Sequence, residues 1–159
     1  MKPQVRLCIK NDFAPMLRMA SLMHQESPVY KDLTLDEAKL LDLCHLAVAH
    51  PELATILVAT HSDGRIIGML GAVATQEYFG PDTTTCDLFL YVLPEHRGSM
   101  AALRLIKKYQ KWAEDLGATR INLGITTGLF LKETGRLFEA AGFTHSGHQY
   151  TRINSNGNY

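Results

Sequence analysis

A mixed β-sheet covered by helices on both faces is the fold class this sequence predicts. Three observations carry it: short apolar runs alternate with helix-period stretches, a turn of the Asp-Gly type joins two of the runs, and one run is separated from the next by a long amphipathic segment. Strands joined by tight turns are antiparallel. A strand that reaches its neighbour through a helix is parallel to it and connected right-handedly.

The elements follow in order. Val5 to Ile9 alternates loosely as a strand. Asn11 or Asp12 is placed to cap a helix reaching about Gln25, with Phe13, Met16, Leu17, Ala20 and Met23 at helical spacing, and Ser27-Pro28 breaks it. Thr34-Leu-Asp-Glu37 has the form of a capping box, and Leu40, Leu41, Cys44 and Val48 carry an apolar stripe to His50-Pro51. Thr55 to Thr60 is β-rich, Ser62-Asp63-Gly64-Arg65 forms a hairpin turn, and Ile66 to Tyr78 returns. Thr84 to Leu93 is a third strand and strongly apolar. Met100 to Leu116 is an amphipathic helix stopped by Gly117. Ile121 to Ile125 is a strand, Leu131 to Ala141 a helix ended by Gly142, and Thr144 to Ile153 a last strand. A single domain over residues 1–153 is expected, with 154–159 as a frayed tail.

The chain has 159 residues, with 16 Lys+Arg against 16 Asp+Glu. Charge balance of this kind disfavours nucleic acid or an anionic membrane as partner, since either selects a basic face. The amino terminus has no long apolar stretch behind its Lys and Arg, so it is not read as a signal peptide. The longest nearly apolar run, Ile66 to Ala74, is about half of a bilayer span. Cys8, Cys44 and Cys86 are odd in number and far apart, which suits neither a disulfide framework nor a metal site and leaves a cytoplasmic setting as the default. His145 and His148, three apart on an extended strand, are expected on opposite faces, so no metal is assigned.

The chemistry-bearing segment is Tyr91 to Leu105, YVLPEHRGSMAALRL. A buried strand ends at Pro94, a short polar loop follows, and a helix opens at about Ser99 or Met100. The uncovered amides of a helix start, together with its dipole, favour an anion, above all a phosphate. His96 and Arg97 add positive charge there, and Gly98 and Ser99 leave room for close approach.

The element order and Pro94-Glu95-His96-Arg97-Gly98 at this place resemble the GNAT family of acyl-CoA-dependent N-acyltransferases. Arg97-Gly98-Ser99-Met100-Ala101-Ala102 corresponds to that family's R/Q-x-x-G-x-G/A motif, with Met100 standing where the first motif Gly belongs. Leu137-Phe138-Glu139-Ala140-Ala141-Gly142-Phe143 resembles its L-Y-E-x-x-G-F stretch, with Phe138 in the place of the Tyr that protonates the leaving thiolate. The resemblance implies acetyl-CoA as co-substrate, no metal, and transfer of the acetyl group to a primary amine by direct attack. The acceptor would be a small molecule, or a protein's Lys or N-terminus, and a homodimer is implied as well. A non-catalytic CoA-binding or interaction module of the same fold is the alternative that Met100 and Phe138 raise.

On this reading Arg97, Gly98, Ser99, Met100, Ala101 and Ala102 hold the diphosphate, and the backbone at Leu90, Tyr91 and Val92 pairs with the pantetheine arm as an added strand beside a bulge. Asp87, in an otherwise apolar strand, and Glu77, late in the strand before it, are candidate bases, and Tyr150 is a candidate acid. His24, Glu26, Ser27 and Tyr30, between the first two helices, are expected to meet the acceptor.

Overall fold

The computed structural model describes residues 2–152 and 154. Its elements are β1 (Gln4–Leu7), α1 (Phe13–Glu26), α2 (Glu37–Ala49), β2 (Ala54–Thr60), β3 (Ile66–Gln76), β4 (Thr83–Val92), α3 (Ala101–Asp115), β5 (Arg120–Asn122) and α4 (Leu131–Ala140). The sheet runs β1-β2-β3-β4-β5 in spatial order; the first three pairings are antiparallel and β4 with β5 is parallel. The mixed sheet and its single parallel step are those the sequence predicts.

Alternation along β2 divides the core. Ile56 and Val58 face α1 and α2, where Phe13, Met16, Met19 and Met23 pack on them. Leu57 and Ala59 face α3, meeting Leu105, Ile106 and Tyr109. Helices therefore cover both faces. Cys8 and Cys44 are small apolar members of the first layer, and burial pushes the Cys8 thiol up to about 11.

Helix starts differ in detail from the sequence reading. Asp12 does not cap α1; its carboxylate turns back to Arg6, at 2.6 and 2.9 Å, and to the Ile9 N–H. Asp36, rather than Thr34, caps α2 by accepting from the Ala38 and Lys39 amides. At α1 the ion pair with Arg6 draws the candidate cap away, and at α2 the carboxylate next to the helix start takes the capping place.

Two strand expectations are corrected. The strand expected over Ile121 to Ile125 pairs only through Asn122, because the chain then swings away from β4. The strand expected at Thr144 to Ile153 is absent over its described residues 144–152, which are almost all exposed and carry no regular structure; Ile153 lies outside the described residues. A strand needs a paired neighbour to satisfy its amides, and β-propensity alone does not supply one. His145 and His148 consequently do not sit on opposite faces: their rings are 4.8 Å apart. Of the tail expected over 154–159, residues 155–159 lie outside the described residues.

β4 contains the irregularity that matters most. Gly71 pairs with Phe89 and the next residue, Ala72, pairs with Asp87, so Leu88 is an extra residue in the strand. A bulge of this kind reverses the alternation. Thr85 meets Tyr109 of α3, and Asp87 shares that face, whereas Phe89 and Tyr91 point to the α1–α2 layer.

Candidate active site

Parallel strands that part company leave a wedge, and here the wedge is a cleft of about 380 Å³. Leu90, Tyr91 and Val92 form one wall. Gly124 to Thr127, Leu129 and Phe130 form the other, and Leu137 and Phe138 of α4 close the side. The far end opens on His96, Arg97, Gly98, Ser99 and Ala102. The extended segment and the turn singled out in the sequence thus border one continuous space.

The turn before α3 has a sharply bent backbone. Gly98 has a φ of +78, a left-handed conformation that glycine adopts without the penalty of a Cβ. The Ser99 hydroxyl accepts from the Ala101 amide at 3.2 Å. Met100 has a φ of −75, so nothing in its backbone calls for glycine. Its side chain is 48% exposed, and Met100 is not among the cleft's lining residues. Ala101 is fully buried beneath the turn. Any contribution from Met100 or Ala101 is therefore one of main-chain amides.

Arg97 is already partnered. Its guanidinium grips Glu26 of α1 through two bonds of 2.5 and 2.6 Å, and its Nε donates to the Val92 carbonyl at 3.0 Å. The Tyr91 phenol donates to the same Glu26 carboxylate at 2.8 Å. Arg97 holds the Glu26 carboxyl below its ordinary range, and burial pushes the Tyr91 phenol up to about 12.

Asp87 lies at the root of the wedge. It is 8% exposed, and its Oδ1 accepts from the Gly124 amide at 2.7 Å. Its Oδ2 is buried without a partner, and so is the Thr126 hydroxyl on the facing wall. Burial pushes the Asp87 carboxyl up to about 6, although the Gly124 amide pulls the other way. Such a group takes or gives a proton near neutrality, which an ordinary carboxylate does poorly.

The other sequence-predicted residues are dispersed. Glu77 accepts from the Thr84 hydroxyl at 2.6 Å and pairs with Arg120, beside the opposite end of β4 from the cleft. Tyr150 is 90% exposed and does not line the cleft. Ser27 is fully buried; its hydroxyl donates to the Thr127 carbonyl at 2.6 Å and accepts from the Val29 and Tyr30 amides. His24 bonds the Leu33 carbonyl, and Tyr30 packs on the core. Of the four acceptor-loop residues, Glu26 and Ser27 touch residues lining the cleft through their side chains: Glu26 meets Tyr91 and Arg97, and Ser27 fastens that loop to Thr127 on the outer wall.

The sequence reading missed the wall from Gly124 to Phe130. Its signal is Thr126-Thr127-Gly128, a break between strand and helix of the kind that positions ligands, masked by extending the strand to Ile125. Among the described residues no three His, Cys, Asp or Glu side chains converge as metal ligands, and no helix is long and apolar enough to cross a membrane.

Comparison with known proteins agrees with this geometry. Residues 17–143 match the family model described as acetyltransferase (GNAT) family. No curated protein matches the sequence. Among solved structures, glucosamine-6-phosphate N-acetyltransferase from Arabidopsis thaliana is similar with a TM-score of 0.76 at 10% identity, over 98% of this chain and 100% of that one. AAC(6')-Iy, solved with the bisubstrate analogue CoA-S-monomethyl-acetylneamine, is similar with a TM-score of 0.75 at 18% identity, over 98% and 99%. Aminoglycoside antibiotic 6'-N-acetyltransferase AAC(6')-IG from Acinetobacter haemolyticus is similar with a TM-score of 0.69 at 21% identity, over 96% and 98%. At these identities the likeness is one of fold.

Proposed function

Because the chain belongs to the acetyltransferase (GNAT) family, we propose that it moves an acetyl group from acetyl-CoA to a primary amine by direct attack within a ternary complex. The observation that carries this reading is the continuous cleft that runs from the turn after Arg97 to Gly124, whose amide is bonded to the buried Asp87 carboxylate at the parting of β4 and β5.

When bound, acetyl-CoA supplies the thioester carbon that the amine attacks. The main-chain amides of the turn not already engaged, those of Gly98, Met100 and Ala102, would hold its diphosphate, with the helix dipole of α3 behind them. The open edge of β4 at Leu90 and Val92 pairs with the pantetheine arm, as strand addition requires. The bulge at Leu88 interrupts the ladder, and a main-chain N–H freed at such a bulge would stabilise charge gathering on the carbonyl oxygen.

An ammonium is not a nucleophile, so a base must remove its proton. Asp87 serves through intervening water, since its Oδ2 is buried and its carboxyl stands behind Gly124 of the cleft wall. The choice rests on Asp87 rather than Glu77, whose carboxylate is committed to Arg120 and Thr84. Phe138, packed beside Phe143, forms a wall and has no proton to give. Protonation of the departing thiolate then falls to solvent at the open end. The acceptor is a small amine, or a Lys or N-terminal amine of a protein, in a cytoplasmic setting, with a homodimer as the assembly.

Calorimetric titration with acetyl-CoA tests the cofactor, and thiol release over polyamines, amino acids, aminoglycosides and Lys peptides tests the transfer. Binding with turnover supports the enzyme. Binding with none across all acceptors favours a CoA-binding module, the reading that Phe138 at the thiolate-protonating position supports. No binding at millimolar acetyl-CoA removes both.

A further inference from the structure

The Arg97 guanidinium sits in a complete receptor for an organic cation. The Glu26 carboxylate meets it edge-on through both oxygens, a planar bidentate contact. The Tyr91 ring lies 5.4 Å and the Phe130 ring 5.2 Å from its central carbon, within the range where a ring face attracts a cation. The Tyr91 hydroxyl fixes the carboxylate from a third side. Phe130 is the one non-glycine residue with positive φ among the described residues, at 48, a strained conformation of the kind that collects at ligand clamps. Tyr91, Arg97 and Phe130 all line the cleft.

Arg97 also heads the turn whose amides await a diphosphate, so a bound cofactor brings a second and stronger anion within reach of the same guanidinium. We infer that Glu26, Tyr91 and Phe130 form a docking cage for a positive group of the acceptor other than the amine that is acylated, and that Arg97 occupies this cage as a stand-in until the diphosphate draws it out. The inference rests on the acetyl-transfer reading and adds the acceptor's class. Tyr91 stands three residues along β4 from the bulge at Leu88, about 10 Å at the rise of a strand. The acceptor is therefore a di- or polyamine with charges separated by roughly that distance, and a simple monoamine is a poor substrate. Cofactor must bind before acceptor, because the cage is otherwise full.

The test uses spermidine as probe, butylamine as a single-charge control, and calorimetric affinities. Arg97→Ala, without cofactor, is expected to bind spermidine at least about tenfold more tightly than the wild type without cofactor, a gain in the range a desolvated cage supplies. Glu26→Gln, saturated with CoA, is expected to bind spermidine about tenfold more weakly than the wild type saturated with CoA, while its own affinity for CoA stays level or rises. Butylamine, whose single charge fills the cage alone, is expected to gain in Arg97→Ala as well, but to be acetylated far more slowly than spermidine by the wild type. Failure of Arg97→Ala to gain spermidine binding overturns the cage, with Arg97→Met as the second variant if the alanine protein does not fold. Loss of CoA affinity in Glu26→Gln with spermidine binding intact overturns it as well, since the pair would then be a fixed strut. If the wild type binds no CoA, the acetyl-transfer reading falls, and the cofactor-free Arg97 variants still decide the cage.

Discussion

Asp87 and Gly124 are joined across the parting of β4 and β5 by a hydrogen bond of 2.7 Å from the Gly124 amide to the Asp87 carboxylate. This bond bridges the two strands just past their last paired residues, Cys86 and Asn122. One oxygen of Asp87 therefore holds the wedge at its root, and the other is buried with no partner among the described residues. Position and reactivity come from the same side chain.

Replacing Asp87 by Asn keeps the shape and an acceptor for the Gly124 amide while removing the base. Turnover is expected to fall about 100-fold or more, in line with the usual worth of a positioned base. Steady-state kinetics on any accepted amine checks this. In the wild type kcat/KM is expected to rise as pH passes through about 6, where the Asp87 carboxyl ionises, and that step vanishes in the variant.

The same group makes stability depend on pH with a definite sign. Its carboxyl is raised in the folded state from 3.8 to about 6, so the folded chain binds the proton more tightly than the unfolded one. That contribution is full below the unfolded value and is lost as pH rises through about 6. Urea denaturation at pH 5 and pH 8 should show the wild type losing on the order of 1 kcal/mol relative to Asp87→Asn between the two conditions.

The clasp between the α1–α2 loop and the outer cleft wall is open to a structural test. Gly128 has a φ of +68, and a Cβ placed there would stand 2.7 Å from the Val29 side chain. Gly128→Ala is expected to cost about 1 to 3 kcal/mol in chemical denaturation through strain and overpacking together. Ser27→Ala should cost about as much, by leaving the buried Thr127 carbonyl and two amides short of a partner.

Met100 provides a prediction of little effect. With φ at −75 and a side chain turned to solvent, restoring glycine there should change acetyl-CoA affinity less than about threefold and lower helix stability by a few tenths of a kcal/mol to ~1 kcal/mol. Calorimetry and thermal denaturation read the two effects separately. A large gain in affinity would show that the Met100 side chain obstructs the cradle.

The stripe on α3 was legible because burial of one face enforces it, and β2, buried on both faces, was legible as a continuous β-rich run. The turn from Arg97 to Ala102 was legible through its resemblance to a family motif, since a polar loop between a strand and a helix is common in itself; the structure places it at one end of the cleft. What the sequence hid depends on long-range pairing. Nothing in Glu26 foretells Arg97, 71 positions away, and nothing in Thr144 to Arg152 reveals that no neighbouring strand receives it. Asp87 was legible as an unusual residue, whereas its orientation was not, because Leu88 looks like any other strand residue until its partner across the ladder is known.

That last residue has a consequence of its own. Deleting one position between Thr85 and Phe89 would restore simple parity to the ribbon and swing the acid towards the methionine-rich layer, or else throw the aromatic half of the strand outward. Neither outcome is tolerable, so this stretch should accept substitutions far more readily than any change in its length.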